Sequence, residues 1–164
     1  MTEVALYVTI FLALYFQAFA LLTYVSKSAS ERRRKQPISA SHPRVAVIVP
    51  CFNEESTIGG TIEPLKARDY PKEKMEILLV NDGSTDNTRL VMDTYASDPQ
   101  ITVIHKENGG KHSAMNLGIE KTSAEFIGCL DADSFVHPRA LCEIIPHFDH
   151  EQVGAVTASM SVHE

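Results

Sequence analysis

Val45-Ala46-Val47-Ile48-Val49-Pro50-Cys51-Phe52-Asn53-Glu54-Glu55 passes within a few residues from an unbroken apolar run to a polar, acidic one. A strand with one wet face alternates apolar and polar side chains. A strand covered on both faces does not alternate, and Val45–Val49 is of that kind. The reading is therefore a buried strand of a parallel sheet, with the polar residues following at its carboxyl end.

The same change recurs downstream. Glu76–Val80 reads as a second strand and leads into Asn81-Asp82-Gly83-Ser84; Ile101–Ile104 reads as a third and leads into Lys106-Glu107-Asn108-Gly109-Gly110-Lys111. Phe126–Leu130 reads as a fourth, followed by Asp131-Ala132-Asp133. Helices fit between them. The first starts at Ser56 and places Ile58, Ile62 and Leu65 at helical spacing, kept short or kinked by Gly59, Gly60 and Pro64. Ser84-Thr85-Asp86 offers N-cap chemistry for a second, and Lys111–Glu120 forms a third. Pro138 opens a fourth, with Leu141, Ile144, Ile145 and Phe148 on one stripe. Val156, Ala158, Met160 and Val162 then alternate with Thr157, Ser159 and Ser161, the pattern of a half-exposed fifth strand.

Strands alternating with helices predict an α/β fold with a mostly parallel sheet and flanking helices. Such sheets bind ligands beyond the carboxyl ends of their strands, and the polar residues cluster at those ends. The residue types suggest the chemistry. Asp131-x-Asp133 supplies two hard oxygen ligands suited to Mg2+ or Mn2+, ions that bridge phosphate oxygens. Lys111 follows Gly109-Gly110 at a helix start, so a cation, free backbone N–H groups and a helix N-terminus coincide there. Asp82 can accept hydrogen bonds from a base or ribose, or simply cap the Gly83-Ser84 turn. Neither a Gly-x-Gly-x-x-Gly fingerprint nor a P-loop is present. Leu130-Asp131-Ala132-Asp133-Ser134 also resembles the nucleophile loop of haloacid-dehalogenase-type phosphatases, but no lysine follows Lys121 to complete such a site.

Together VAVIVPCFNEESTIGGTI, ILLVNDGSTDNT, ENGGKHSAMNLGI and FIGCLDADSFV, spread in order over residues 44–164, resemble the family 2 glycosyltransferases of GT-A fold. The membrane-bound branch with cellulose, chitin, hyaluronan and poly-N-acetylglucosamine synthases is the nearest in flavour. The resemblance implies inverting transfer of a sugar from a UDP-sugar to a glycan or lipid acceptor. It also implies roles by position: Asp82 on the uracil ring, and Pro50, Asn53 and Glu54 around base and ribose. Lys111 falls near the base or diphosphate, Asp131 near ribose or metal, and Asp133 on the divalent ion. The family's general base and its Gln-x-x-Arg-Trp motif lie further on. This chain has no tryptophan, and no catalytic residue is assigned in it; the base and the remaining part of the fold are expected beyond Glu164. Nucleotide-sugar binding without catalysis is the alternative.

Upstream, Val4–Val25 carries no charge. As a helix rising about 1.5 Å per residue it would reach about 33 Å, enough for a bilayer core. Lys27, Arg32, Arg33, Arg34 and Lys35 follow, against Glu31 alone. Residues 1–26 thus read as a transmembrane anchor and 27–43 as a basic linker. They place 44–164, the N-terminal, nucleotide-sugar-binding half of a GT-A domain, on the cytoplasmic side. The net charge of −6 argues against nucleic acid as a partner. Cys51, Cys129 and Cys142 are too few and too scattered for a disulfide framework. Cys51 and Cys129, in or beside apolar strands, read as small buried thiols. The histidine-rich run His147–Glu151 has no matching partner elsewhere and reads as surface rather than as a metal site.

Overall fold

A computed structural model of the chain describes residues 7, 11–23, 42–149 and 152–158. The chain forms two compact units, Met1–Pro37 and Ile38–Glu164. In the first, residues 11–23 are helical (α1) and their side chains are exposed. Among the described residues no helix is long and apolar enough to cross a membrane. Much of the remainder of Val4–Val25 lies outside the described residues, as does the basic linker up to residue 41.

The second unit holds β1 (Val45–Cys51), α2 (Ile58–Lys66), β2 (Met75–Asp82), α3 (Thr88–Asp93), β3 (Ile101–Lys106), α4 (Lys111–Lys121), β4 (Phe126–Cys129) and α5 (Ala140–Ile144). All four strands are parallel, in the order β3-β2-β1-β4. Alternate residues of the central strands point to opposite faces, and each face has its own core. Val45, Val47, Val49 and Cys51 of β1 join Ile77 and Leu79 of β2 beneath α2, α3 and α5, where Ile58, Ile62, Leu65, Met92 and Leu141 are buried. Ala46, Ile48, Leu78 and Val80 meet Ala114 of α4 on the other face. The unbroken apolar run of β1 is thus needed in full, because neither face is wet. Gly118 lets α4 lie close on that second face: a Cβ there would stand 2.6 Å from Ile48 Cγ2.

The strand order fixes where a ligand can sit. The chain steps outward from β1 to β2 to β3 on one face, then α4 carries it back across the other face and β4 pairs with the free side of β1. This reversal opens a crevice beyond the carboxyl ends of β1 and β4.

Several sequence expectations need adjustment. β2 and β3 run on to Asp82 and Lys106, so Asn81, Asp82 and Lys106, read as loop, belong to strands. The second helix begins at Thr88, after the Ser84–Asn87 turn, and Pro138 precedes a turn rather than a helix start, with α5 beginning at Ala140. Beyond α5 the stripe continues as a 3-10 segment, Ile145–Asp149. Residues 153–158 form no strand. Alternation marks a half-exposed side, but a strand also needs a neighbour to bond, and these residues have none among the described ones; Ser159–Glu164 lie outside them. Cys129 is exposed while Cys142 is buried. On β4 the side of Ile127 and Cys129 is open, since α4 packs on β1 and β2.

Candidate functional site

The four strand-end loops converge. A cavity of about 270 Å³ is lined by Pro50, Cys51, Phe52, Glu54, Asp82, Lys111, Asp131, Ala132 and Asp133. Six of the seven residues singled out from the sequence are among them. Asn53, the seventh, is not. It takes a left-handed backbone (φ 57°), which asparagine tolerates better than most residues, and its side chain is spent on the neighbouring loop. Asn53 Oδ1 accepts the Thr85 N–H at 2.8 Å, while the Asn53 N–H donates to Ser84 Oγ at 3.0 Å.

That pairing is the first stitch of a seam between the loops after β1 and β2. The Glu54 N–H donates to Thr88 Oγ1 at 2.7 Å, and the Thr88 hydroxyl donates to Asp86 Oδ1 at 2.5 Å. The Asn87 N–H donates to Glu55 Oε2 at 2.8 Å, and the Glu55 N–H to Asp86 Oδ2 at 3.3 Å. Thr88 is fully buried, so its hydroxyl has no water to fall back on. The two loops therefore move as one, and Glu54 is held against the cavity by a residue of the next βα unit.

On the opposite wall Lys111 Nζ lies 2.5 Å from Asp131 Oδ1, both side chains more than half exposed. The hydrogen bond that Lys111 donates to Asp131, helped by the charges of Asp131 and Asp133, raises the lysine pKa against partial desolvation, so the side chain stays cationic. The Asp131–Asp133 turn is pinned from behind, where Thr61 Oγ1 of α2 donates to the Ala132 carbonyl at 2.7 Å. Asp133 is exposed, and among the described residues no cation is paired with it.

Asp82 sits at the floor, 3% exposed. Its Oδ1 accepts from Lys106 Nζ at 2.5 Å and from the Gly109 N–H at 3.0 Å. Burial pushes its carboxyl up, but these hydrogen bonds and the Lys106 charge outweigh burial and hold it below the usual range. Gly83, at φ 69°, makes the turn after it, where a Cβ would stand 2.6 Å from Asn108 N. Sequence reasoning passed over Lys106 and Phe52. Phe52 adds a half-exposed aromatic ring to the wall. Lys106 could have been found only by extending β3 far enough to pair it with Asp82, the register actually seen.

A divalent ion suits the donor set in part. Among the described residues there is no group of three or more His, Cys, Asp or Glu side chains gathered as metal ligands. Asp131 and Asp133 are hard oxygen donors on one rim, and Lys111 already engages one oxygen of Asp131. The pair fits an ion that draws its other ligands from phosphate oxygens and water, as Mg2+ does.

The arrangement matches known proteins. Residues 46–164 match the family described as "Glycosyl transferase family 2", and the chain belongs to it. Among curated relatives, poly-beta-1,6-N-acetyl-D-glucosamine synthase of Staphylococcus aureus (strain COL) is 33% identical over 158 residues, covering 94% of this chain and 38% of that protein. The chain thus spans well under half the length of that relative. Among solved structures, the mannosyltransferase PcManGT from Pyrobaculum calidifontis in complex with GDP-Man and Mn2+ superposes with a TM-score of 0.66 at 27% identity, covering 80% of this chain and 41% of that one. S. aureus TarS 1-349 in complex with UDP-GlcNAc does so with a TM-score of 0.58 at 27% identity, covering 65% of this chain and 31% of that one. The fold is GT-A-like, with a mostly parallel sheet.

Proposed function

We propose that the cavity is the donor site of an inverting glycosyltransferase that moves a sugar from UDP to a glycan or lipid-linked acceptor at the cytoplasmic face of a membrane. The observation that carries this reading is the Lys111–Asp131–Asp133 rim, set over a crevice whose floor is an ionised, buried Asp82. A nucleoside diphosphate matches both features. Its diphosphate needs cations and hard-ion ligands, and its base needs an acceptor for ring N–H groups. The nucleotide-sugars named in the two superposed structures support the donor class.

In this reading Asp82 receives the base, Pro50, Glu54 and Phe52 wall the base and ribose, and Asn53 fixes the loop that carries them. Lys111 neutralises the diphosphate. Asp131 and Asp133 would hold a Mg2+ or Mn2+ ion, which would stabilise the departing diphosphate as the anomeric carbon is displaced with inversion. The N-terminal Val4–Val25 stretch would anchor the domain, with Lys27, Arg32, Arg33, Arg34 and Lys35 keeping it cytoplasmic.

Calorimetric titration of UDP with and without Mn2+ tests the site. Metal-dependent binding is expected, and a flat titration under both conditions overturns the reading. A reporter active only in the cytoplasm, fused after Glu164, tests the topology. Signal only from an export-dependent reporter would reverse it.

A second reading, binding without transfer, is favoured by one observation. Of the cavity's carboxylates Asp82 and Asp131 are tied to lysines and Glu54 accepts from the Thr57 hydroxyl, which leaves Asp133 with the metal role and none free to deprotonate an acceptor. Sugar transfer from UDP-N-acetylglucosamine or UDP-glucose to an added acceptor by this chain would exclude that reading.

A further inference from the structure

Asp82 has two carboxylate oxygens and uses them unequally. Oδ1 accepts from the Lys106 ammonium at 2.5 Å and the Gly109 N–H at 3.0 Å, the Gly110 N–H also faces the carboxylate, and no side chain among the described residues bonds Oδ2. Asp82 is nevertheless buried and lines the cavity, so the oxygen left over is the one available to a ligand. Lys106 is itself mostly buried, with 17% of its side chain exposed, and it also donates to the Glu107 carbonyl. An ammonium held by two acceptors in this way is a fixed strut. A Cβ on Gly109 would stand 3.0 Å from Lys106 Nζ, so the loop is shaped around the ammonium.

We propose that Lys106 is a positioning residue for donor recognition: by occupying Asp82 Oδ1 it fixes the carboxylate rotamer and presents Oδ2, as a pure acceptor, to the nucleobase. This rests on the donor-site reading above. The consequence is selectivity by donor pattern. A base whose pairing edge offers a ring N–H, as uracil and guanine do, meets a matching acceptor. Cytosine offers a bare ring nitrogen at the corresponding place and meets lone pair against lone pair.

The lysine acts through charge as well as geometry. The charged groups that face Asp82 are Lys106 from the end of β3 and, across the cavity, Glu54, Lys111, Asp131 and Asp133. Burial favours the neutral acid, but Lys106, the cation in direct contact, together with the Gly109 and Gly110 N–H groups outweighs it. A protonated Asp82 would carry a hydroxyl, lose its clean acceptor pattern and give up the ion pair.

Two measurements on the full chain separate the outcomes. The first is UDP and CDP affinity with Mn2+ across the acid pH range, for the parent, Lys106→Met and Lys106→Arg. Lys106→Met is expected to weaken UDP binding about tenfold or more, to narrow the preference for UDP over CDP, and to move the acid limb of the binding profile to higher pH. Lys106→Arg is expected to restore most of each. A purely structural lysine would lower affinity without moving the limb or the base preference, and that result overturns the proposal. The second is the titration of the Asp82 carboxyl carbon by NMR in the ligand-free chain. Its midpoint should rise in Lys106→Met, and an unchanged midpoint overturns the proposal whether or not UDP binds. If the parent binds no UDP while the midpoint still rises, the donor-site reading fails and the Lys106–Asp82 strut stands. Should Lys106→Met not fold, Lys106→Gln, one atom shorter, keeps an N–H donor without charge and serves the same comparison.

Discussion

Lys111 Nζ and Asp131 Oδ1 lie 2.5 Å apart across the mouth of the cavity, joining the start of α4 to the end of β4. The contact divides labour between two aspartates that look equivalent in sequence. Asp131 shares its charge with a lysine, whereas Asp133 carries an exposed carboxylate that no described cation balances. A divalent ion arriving with a diphosphate should therefore lean on Asp133. Asp133→Asn is expected to weaken UDP binding at least about tenfold, or about 1.4 kcal/mol, when Mn2+ is present. With the metal chelated, parent and variant should bind alike. Equal affinities in Mn2+ would remove Asp133 from the metal site.

Thr88 is predicted to be worth more than its size. Its hydroxyl accepts from the Glu54 N–H and donates to Asp86. Thr88→Val keeps the shape but leaves the Glu54 N–H without its acceptor and strips Asp86 Oδ1 of the hydroxyl, leaving it only the backbone N–H of residue 88, at a cost of about 1–3 kcal/mol. Thr88→Ser should retain most of that. Urea unfolding midpoints of the two variants provide the comparison, and a valine variant as stable as the parent would show that the seam is slack.

Gly118→Ala sets two effects against each other. Alanine is better than glycine in a helix by about 1 kcal/mol, so in open space the change would stabilise. Here the new methyl would stand 2.6 Å from Ile48 Cγ2, and Ile48 is fully buried in a central strand. Overpacking of that kind costs about 1–3 kcal/mol. A lower unfolding midpoint is expected; a higher one would mean that α4 can slide away from the sheet.

Acid should loosen the same fold at defined places. Lys66, hydrogen-bonded to Asp98 at 2.9 Å, and the Gln100 N–H hold the Asp98 carboxyl below its ordinary value. At Asp86, desolvation is outweighed by hydrogen bonds from Thr88 and the Glu55 N–H. A carboxyl whose pKa is lower folded than unfolded adds stability above its unfolded value, and that stability is lost as pH falls through the folded one. Unfolding midpoints should therefore decline as pH drops below about 4. Lys66→Met should flatten part of that decline, and an unchanged slope would show that Asp98 does not contribute.

The three thiols should react in a set order. Burial, with the Glu54 charge adding, pushes the Cys51 thiol up to about 12, and Cys142 is buried, donating to the Asp69 carbonyl at 2.6 Å. Cys129 is also raised, by burial first, but it is the exposed one. Since the thiolate is the reactive species, a disulfide exchange reagent near neutral pH should label Cys129 slowly and the others only after denaturant is added. Prompt labelling of Cys51 in native conditions would mean that the cavity opens down to β1.

What could be read from the sequence was what repeats. The apolar runs of β1 and β2, and Ile58, Ile62 and Leu65 on α2, announce themselves by period, and the polar loops follow because parallel strands end on one rim. Pairwise facts stayed hidden. Nothing in Lys106 alone says that it reaches Asp82, because that contact depends on the β2–β3 register. Cys129 looked buried because strand composition reports apolar character and not which helix covers which strand. Val156–Ala158 read as the start of a strand because alternation cannot report whether a neighbour is there to bond.

The sheet order has a consequence for how the protein is made. β1 leaves the ribosome before β2, β3 and β4 and ends up in the middle, bonded to β2 on one side and to β4 on the other. The Arg44 N–H and Glu125 Oε1, which meet at that second seam, stand 81 positions apart in the chain. During synthesis β1 can zip to β2 early, while its other edge must wait, unpaired and apolar, until α4 has packed over β1 and β2 and β4 has emerged. Lys111 gains Asp131 only then. The nascent chain therefore carries a sticky central strand until β4 emerges, and the rim that would grip a diphosphate is assembled only after that.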